Sequence, residues 1–365
     1  VKIVIDCRYT RLERHDGISR YTASIAAELG RLVRPGDTIT MLISDRRQLT
    51  LLPALPWEKV TAPTSPFEPL VALLVNRLRP DVVFSPMQTM GSFGRRYRLV
   101  LTVHDLIYYR HRTPPRDLPG FVRGLWRLYH LAWWPQRMLL NRADTIVTVS
   151  ETTRGLIRRH RLTTKPVVVV PNAASAPDAE SVAIAARHPD RSAAHSLVYM
   201  GSFMPYKNVE TLAKAMRLLP DYTLHLMSRA DADTVEMLRS LAPTAKLVFH
   251  QGASDAEYHA ALSRATALVT ASRDEGFGIP LVEAMALGTP VVVSDIPIFR
   301  EIGGAAAAYV APNSAKGFAA AVRELEKSRV WRDRSAAARD RAAQYSWATS
   351  AGVLAEVLSE LRPQK

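Results

Sequence analysis

Apolar and polar positions fall into blocks along the 365-residue chain. Short runs rich in Val, Ile and Leu at residues 1–6, 38–44, 81–86, 99–104, 145–150 and 167–171 read as strands buried on both faces. Stretches with helical spacing intervene at about 18–32, 67–78, 118–141 and 151–160. From 173 to 194 the chain turns to Ala, Ser, Pro and Asp without clear periodicity, which predicts a linker. A second series follows, with strands at 196–201, 223–227, 246–250, 267–271, 290–294 and 308–310. Its helices are expected at 209–218, 233–241, 255–264, 280–287 and within 316–343, with a last one at about 349–361. Such alternation predicts an α/β chain of two doubly wound parallel sheets facing across a cleft. Right-handed crossovers bring the loops after the strands to one edge of each sheet, where such sheets take ligands.

Composition narrows the field only in part. With 47% hydrophobic residues, two domains of ordinary size can each bury a core. No apolar run reaches the length of a membrane span, and no charged-then-apolar leader opens the chain. The single Cys7 excludes an internal disulfide framework and fits a reducing cytosol. No Cys or His cluster has zinc-ligand spacing, so no metal is expected. The net charge of +14 would attract nucleic acid, anionic lipid or a diphosphate. No nucleic-acid motif accompanies it, and scattered Arg on a solvated surface accounts for much of it.

The candidate chemistry centres on residues 272–288, between two strand-like runs. Pro280 suits the first position of a short helix, and Gly288 a left-handed stop after it. No Ser, Thr, Asp or Asn stands directly before Pro280 to cap the first turn, so its backbone N–H groups suit an anion. Gly276 and Gly278 admit a bulky ligand close to the backbone. Carboxylates beside an anion site would repel it, so Glu275 and Glu283 are better placed to bind hydroxyls.

The run Glu275-Gly276-Phe277-Gly278-Ile279-Pro280, continued by Glu283-Ala284-Met285-Ala286, resembles the signature of the retaining nucleotide-sugar glycosyltransferases of family 4. That resemblance implies the GT-B fold, with an acceptor-binding domain at 1–172, a linker at 173–195 and a donor-binding domain at 196–347. After Tyr345-Ser346-Trp347 the chain would return to the first domain, which a helix at about 348–365 would tie down. The resemblance implies Glu283 on the ribose, Glu275 and the 276–278 backbone on the sugar, Lys207 on the diphosphate, and Ile279 among the donor-binding residues. Family members carry Arg directly after Gly201; Ser202 stands here instead, and Arg20, Arg229 and Arg273 are candidates to supply the missing charge. Gly17 resembles the family's loop glycine near the donor, and His104, closing a strand beside Asp105, its sugar-contacting histidine. His15, His225 and His250 have weaker claims. The segment Gly201-Ser202-Phe203-Met204-Pro205-Tyr206-Lys207-Asn208 looks like that of mannosyltransferases, which implies GDP-mannose as donor and a cell-envelope glycan or glycolipid as acceptor. No cofactor beyond this nucleotide sugar is expected. The same fold also admits a UDP-sugar donor, a nucleotide-sugar 2-epimerase or a non-catalytic nucleotide-sugar-binding subunit.

One segment stands apart. Residues 118–142 carry Trp126, Trp133 and Trp134 among Arg123, Arg127, Arg137 and Arg142. Core packing of an amphipathic helix is the preferred reading, and peripheral contact with the inner face of a cell membrane the second.

Overall fold

The computed structural model of the chain describes residues 1–12, 17–114 and 120–361, with the Phe121 side chain excepted. His15, the start of the helix expected from 118 and the last four residues lie outside the described residues. The chain divides into two compact units, Val1–Asn172 with Ser346–Lys365, and Ala173–Tyr345.

The first unit is built on strands β1 (Lys2–Asp6), β2 (Thr38–Ile43), β3 (Trp57–Lys59), β4 (Val82–Ser85), β5 (Arg98–Val103), β6 (Thr145–Thr148) and β7 (Val167–Val169). They form one parallel sheet in the order β3-β2-β1-β4-β5-β6-β7. Strand order reverses at β1, with Ile5 lying between Met41 on one side and Phe84 on the other. Every residue of β4 and β6 is buried, which is why their centres, Val82–Phe84 and Ile146–Val147, are continuous apolar runs rather than alternating. β3 was not foreseen: it is an exposed edge of three residues, too short and too polar for a pattern. The last helix, Trp347–Glu360, is capped by Ser346, whose hydroxyl accepts from the Thr349 amide. It packs against the helix Gly17–Arg31, with Trp347 and the fully buried Tyr21 ring to ring at 5.8 Å. Ser350 Oγ donates to the Pro171 carbonyl at 2.7 Å.

The second unit has strands β8 (Ser196–Tyr199), β9 (Thr223–Leu226), β10 (Lys246–Phe249), β11 (Ala267–Thr270), β12 (Val291–Ser294) and β13 (Ala308–Val310). Their parallel order is β10-β9-β8-β11-β12-β13, so the reversal falls between β8 and β11. Buried Leu197, Leu212, Leu224, Val269, Phe318 and Trp331 belong to one apolar core, and Trp331 Nε1 donates to the Thr266 carbonyl at 2.9 Å.

Two expectations are corrected. The stretch 173–195 is no linker: it carries the helix Ala179–Arg187, capped by Asp178 accepting from the Ser181 amide. Arg191 beyond it is buried, with its guanidinium donating to the carbonyls of Leu262, Leu287 and Gly288 and lying over the Trp331 ring. Burial, then the charge of Arg339, pulls its pKa from 12.5 down to about 10. A short Ala-rich helix has too weak an apolar stripe to be read from periodicity, and only its packing against the helix Asp255–Arg264 reveals it. The stretch expected as one helix at 118–141 is two, Gly120–Tyr129 and Trp134–Leu140, because Pro135 can occupy only a first turn. Nor is it a purely packing element, since Leu125, Leu128, Leu131, Trp134 and Met138 are exposed.

Candidate active site

The carboxyl edge of the six-stranded sheet collects most of the expected residues at the β8–β11 reversal, where two loops diverge and leave room for a ligand. After β8 the chain passes Gly201 and Ser202 and makes a 3₁₀ turn, Pro205–Lys207, ending in Asn208 with left-handed φ 54° and ψ 40°. Asn208 Nδ2 donates to the Ala271 carbonyl (3.0 Å) and the Pro312 carbonyl (2.6 Å), which fastens this loop to the end of β11. The fastening is returned from β11: the Arg273 amide donates to the Tyr206 carbonyl at 2.7 Å. The Arg273 guanidinium donates to the Pro205 carbonyl, Asn208 Oδ1 and Asn313 Oδ1. Arg273 is thus occupied in joining two loops, which removes it as a substitute for the arginine missing at Ser202.

Held this way, Lys207 and Glu275 meet. Lys207 Nζ donates to Glu275 Oε1 at 2.6 Å, and Ser272 Oγ donates to the same oxygen at 2.8 Å. Their side chains are 15% and 14% exposed, so the pair is shielded from water yet open enough to exchange partners. Beside it, Tyr199 is fully buried and its hydroxyl donates to the Ser202 carbonyl at 2.7 Å. Burial, reinforced by the Glu275 charge, pushes this phenol well above its usual range, so it stays a neutral donor. Ser202 itself is half-buried at the same edge.

The helix Ile279–Ala286 starts from Gly278 in the left-handed region, at φ 97°, with no side-chain cap. Ile279 takes the first helical position and Pro280 the second, one place later than its sequence context predicts. The Leu281 amide donates to the Gly278 carbonyl at 2.9 Å and Pro280 has no N–H, so Ile279 supplies the first-turn amide that remains for a ligand. Gly278 is needed for its φ and for space, since a Cβ there would approach the Phe299 ring to 3.0 Å. The Phe277 ring is buried, 5.6 Å edge-on from Tyr345, which leaves only its backbone to face a ligand, next to half-buried Gly276. Glu283 is 4% exposed, one turn deeper in the helix and less accessible than Glu275.

In the seven-stranded unit the carboxyl edge is organised differently. Half-buried His104 follows β5, with Nε2 2.7 Å from the Pro86 carbonyl; a ring nitrogen facing a carbonyl oxygen carries its proton. The Tyr21 ring lies 4.9 Å edge-on from the imidazole, one turn after exposed Gly17 opens its helix. The same edge holds a network that sequence reasoning missed. Buried Arg8 donates to both carboxylate oxygens of Asp6 (2.7 and 2.9 Å) and both of Glu68 (2.6 and 2.9 Å). Asp6 and Arg8, two residues apart at a strand end, were a readable local signal; Glu68, sixty positions on, was not. Tyr9 OH donates to the Thr89 carbonyl at 3.1 Å. His225 and His250 form a pair of their own, Nδ1 to Nε2 at 3.0 Å, on the β9–β10 side of the other unit. Arg229 is exposed. Among the described residues, no three or more His, Cys, Asp or Glu gather as metal ligands.

Comparison with known proteins agrees with this architecture. Residues 15–175 match the Glycosyltransferase Family 4 model and residues 185–345 the model of glycosyl transferases group 1. The chain is 29% identical over 269 residues to the O-antigen chain mannosyltransferase RfbU of Salmonella typhimurium, covering 69% of this chain and 72% of RfbU. It is 30% identical over 301 residues to the glycogen synthase of Mycobacterium tuberculosis, covering 76% of this chain and 68% of that enzyme. HepE of Anabaena, solved in complex with UDP and glucose, shares the fold at a TM-score of 0.72 and 18% identity, over 98% of this chain and 99% of HepE. With one family model over each half of the sequence and two parallel-sheet units beneath them, the chain belongs to the family 4 glycosyltransferases and has their GT-B fold.

Proposed function

We propose that this glycosyltransferase moves mannose from GDP-mannose to a hydroxyl of a cell-envelope glycan or glycolipid, with retention of anomeric configuration. The observation that carries the reading is the Lys207–Glu275 contact at the β8–β11 reversal, beside a helix start that has no side-chain cap. An ammonium and a helix start without a side-chain cap favour a diphosphate, while a carboxylate held 2.6 Å away favours sugar hydroxyls. In this reading Lys207 exchanges Glu275 for the diphosphate, with the Ile279 amide and the half-buried Ser202 hydroxyl assisting. Glu275 and the 276–278 backbone bind the sugar. Glu283 accepts from the ribose, which requires the nucleoside to reach below the helix entry. The seven-stranded unit takes the acceptor, with Gly17 close to the donor phosphates and His104 contacting the transferred sugar.

In the transfer step the bond from the anomeric carbon to the diphosphate oxygen breaks, and a bond to the acceptor oxygen forms on the same face. The acceptor proton passes to the leaving diphosphate. Negative charge grows on that group, and Lys207 with the helix dipole stabilises it. The similarity to RfbU supports mannose as the sugar.

A thermal-shift screen of GDP- and UDP-sugars tests the donor, because a ligand selective for the native state raises its stability. GDP-mannose should give the largest shift. A shift from UDP-sugars alone would replace the donor, and binding without transfer to any glycan acceptor would leave only a nucleotide-sugar-binding role.

A further inference from the structure

Among the described residues Arg191 is a buried cation, 3% exposed, without an acidic partner. The adjacent Asp190 accepts instead from the Ser192 amide and the Ser328 hydroxyl. Arg191 Nη1 donates to the Leu262 carbonyl at 2.9 Å and to Thr289 Oγ1 at 3.1 Å. Nη2 donates to the carbonyls of Leu287 at 3.1 Å and Gly288 at 3.0 Å, and Nε has no partner. These carbonyls close two helices. Leu262 lies in the last turn of Asp255–Arg264, and Leu287 and Gly288 directly follow Ile279–Ala286. The negative ends of two helix dipoles thus converge on one guanidinium, and with its pKa at about 10 it stays charged at neutral pH.

The opposite ends of the same two helices differ. Crossover helices run against the parallel strands, so both start at the carboxyl edge of the sheet. Asp255–Arg264 starts under a capping box, with Ser254 Oγ accepting from the Glu257 amide and the Glu257 carboxylate from the Ser254 amide. Ile279–Ala286 starts with no side-chain cap. At about 1.5 Å per residue its eight residues span about 12 Å, short enough for a charge buried behind the helix to be felt at its start. Hydrogen bonding alone does not account for the cation, because a neutral amide could donate to these carbonyls without the cost of burying a charge.

We propose, on the donor reading given above, that Arg191 is a positioning residue for the donor: acting through the helix Ile279–Ala286, its charge favours a diphosphate at the Ile279 amide. Arg339 acts in the same sense and more weakly, since its guanidinium covers Gly288 from an exposed position where water screens it.

The test is calorimetric titration of the full chain, directly with GDP and UDP and by competition with guanosine and uridine. For whichever diphosphate the unmodified protein binds, Arg191→Gln should weaken binding about tenfold and leave the matching nucleoside within about twofold, because the nucleoside carries no charge. Arg191→Lys keeps the charge with fewer donors and should return the diphosphate to within about threefold of the unmodified protein. Arg339→Gln changes an exposed side chain, so it carries the test even where Arg191→Gln fails to fold; it should weaken the diphosphate about twofold and spare the nucleoside. Equal losses for diphosphate and nucleoside, or a diphosphate loss that Arg191→Lys does not restore, would make Arg191 merely structural and overturn the proposal. So would undiminished diphosphate binding by Arg191→Gln and Arg339→Gln. Failure of the unmodified protein to bind either diphosphate would sink the donor reading itself, and the role of Arg191 with it.

Discussion

The two parallel sheets reverse strand order at equivalent points and put a charged cluster at each reversal, but they use the charge in opposite ways. In the seven-stranded unit buried Arg8 is saturated by buried Asp6, by half-buried Glu68 and by the Thr61 carbonyl, and the Gly91 amide donates to Glu68 as well. Every donor there is spent on a protein partner, so the cluster acts as a fastening for the loops after β1 and β4. In the six-stranded unit the loop fastening falls to Arg273 and Asn208, which leaves the Lys207 ammonium on Glu275 and over the Tyr206 ring, and the Glu275 carboxylate on Lys207 and Ser272. Closed networks stabilise a fold; a pair that a ligand can separate serves exchange. The contrast teaches that charge at a sheet edge is not by itself a functional signal, and that what the neighbouring residues already satisfy decides its role.

The largest effect should come from breaking the closed network. Arg8→Met strands the Asp6 carboxylate in the core and should cost about 3–5 kcal/mol of stability, measured by urea unfolding. A loss within error of zero would mean the cluster is no fastening. Next, Glu275→Ala should cut transfer about a thousandfold, near 4 kcal/mol of transition-state stabilisation, with the fold retained. Near-normal turnover would remove Glu275 from the mechanism and erase the contrast. Lys207→Ala should lower kcat/KM about a hundredfold and weaken nucleotide binding, with Lys207→Arg restoring part of the binding. Because the two residues touch, the Lys207→Ala and Glu275→Ala effects should fall short of additivity in the double variant.

The smallest effect concerns pH. Burial alone would raise the Asp144 carboxyl, but the Leu99 amide with Arg95 and Arg98 outweighs it and holds the group below its usual range. A carboxyl depressed in the folded state contributes stability above its unfolded value of about 4 and loses that contribution as pH falls through the folded value. Asp144→Asn should therefore cost about 1 kcal/mol near neutrality and flatten the acid limb of the stability curve below about pH 4. An unchanged acid limb would show that this cluster, unlike Arg8, fastens nothing.

Legibility followed physical range. β11 and β12 were readable because burial on both faces makes them nearly continuous apolar runs, and the signature around Glu275 because its parts are adjacent in sequence. Lys207 against Glu275 was foreseen as shared chemistry, not as a contact, since sixty-eight residues separate them. The helix within 173–195 and the role of Arg191 were hidden because their partners are backbone carbonyls supplied by distant segments. Arg273 was misjudged for the same reason. The exposed side of Gly120–Tyr129 and Trp134–Leu140 was hidden too, because an apolar stripe looks alike in sequence whether it faces core or solvent.

The sequence by itself determined the alternation of strands and helices, the two-unit organisation it implies and the short run that marks the family. These depend on neighbours a few residues apart, where side-chain period and turn chemistry act directly. Only the tertiary structure decided which charges are spent and which stay available, which apolar stripe is left uncovered, and that Glu283 lies deeper than Glu275. Those outcomes depend on what distant segments bring to each side chain, since a charge or an apolar surface has its effect set by the groups and the water around it.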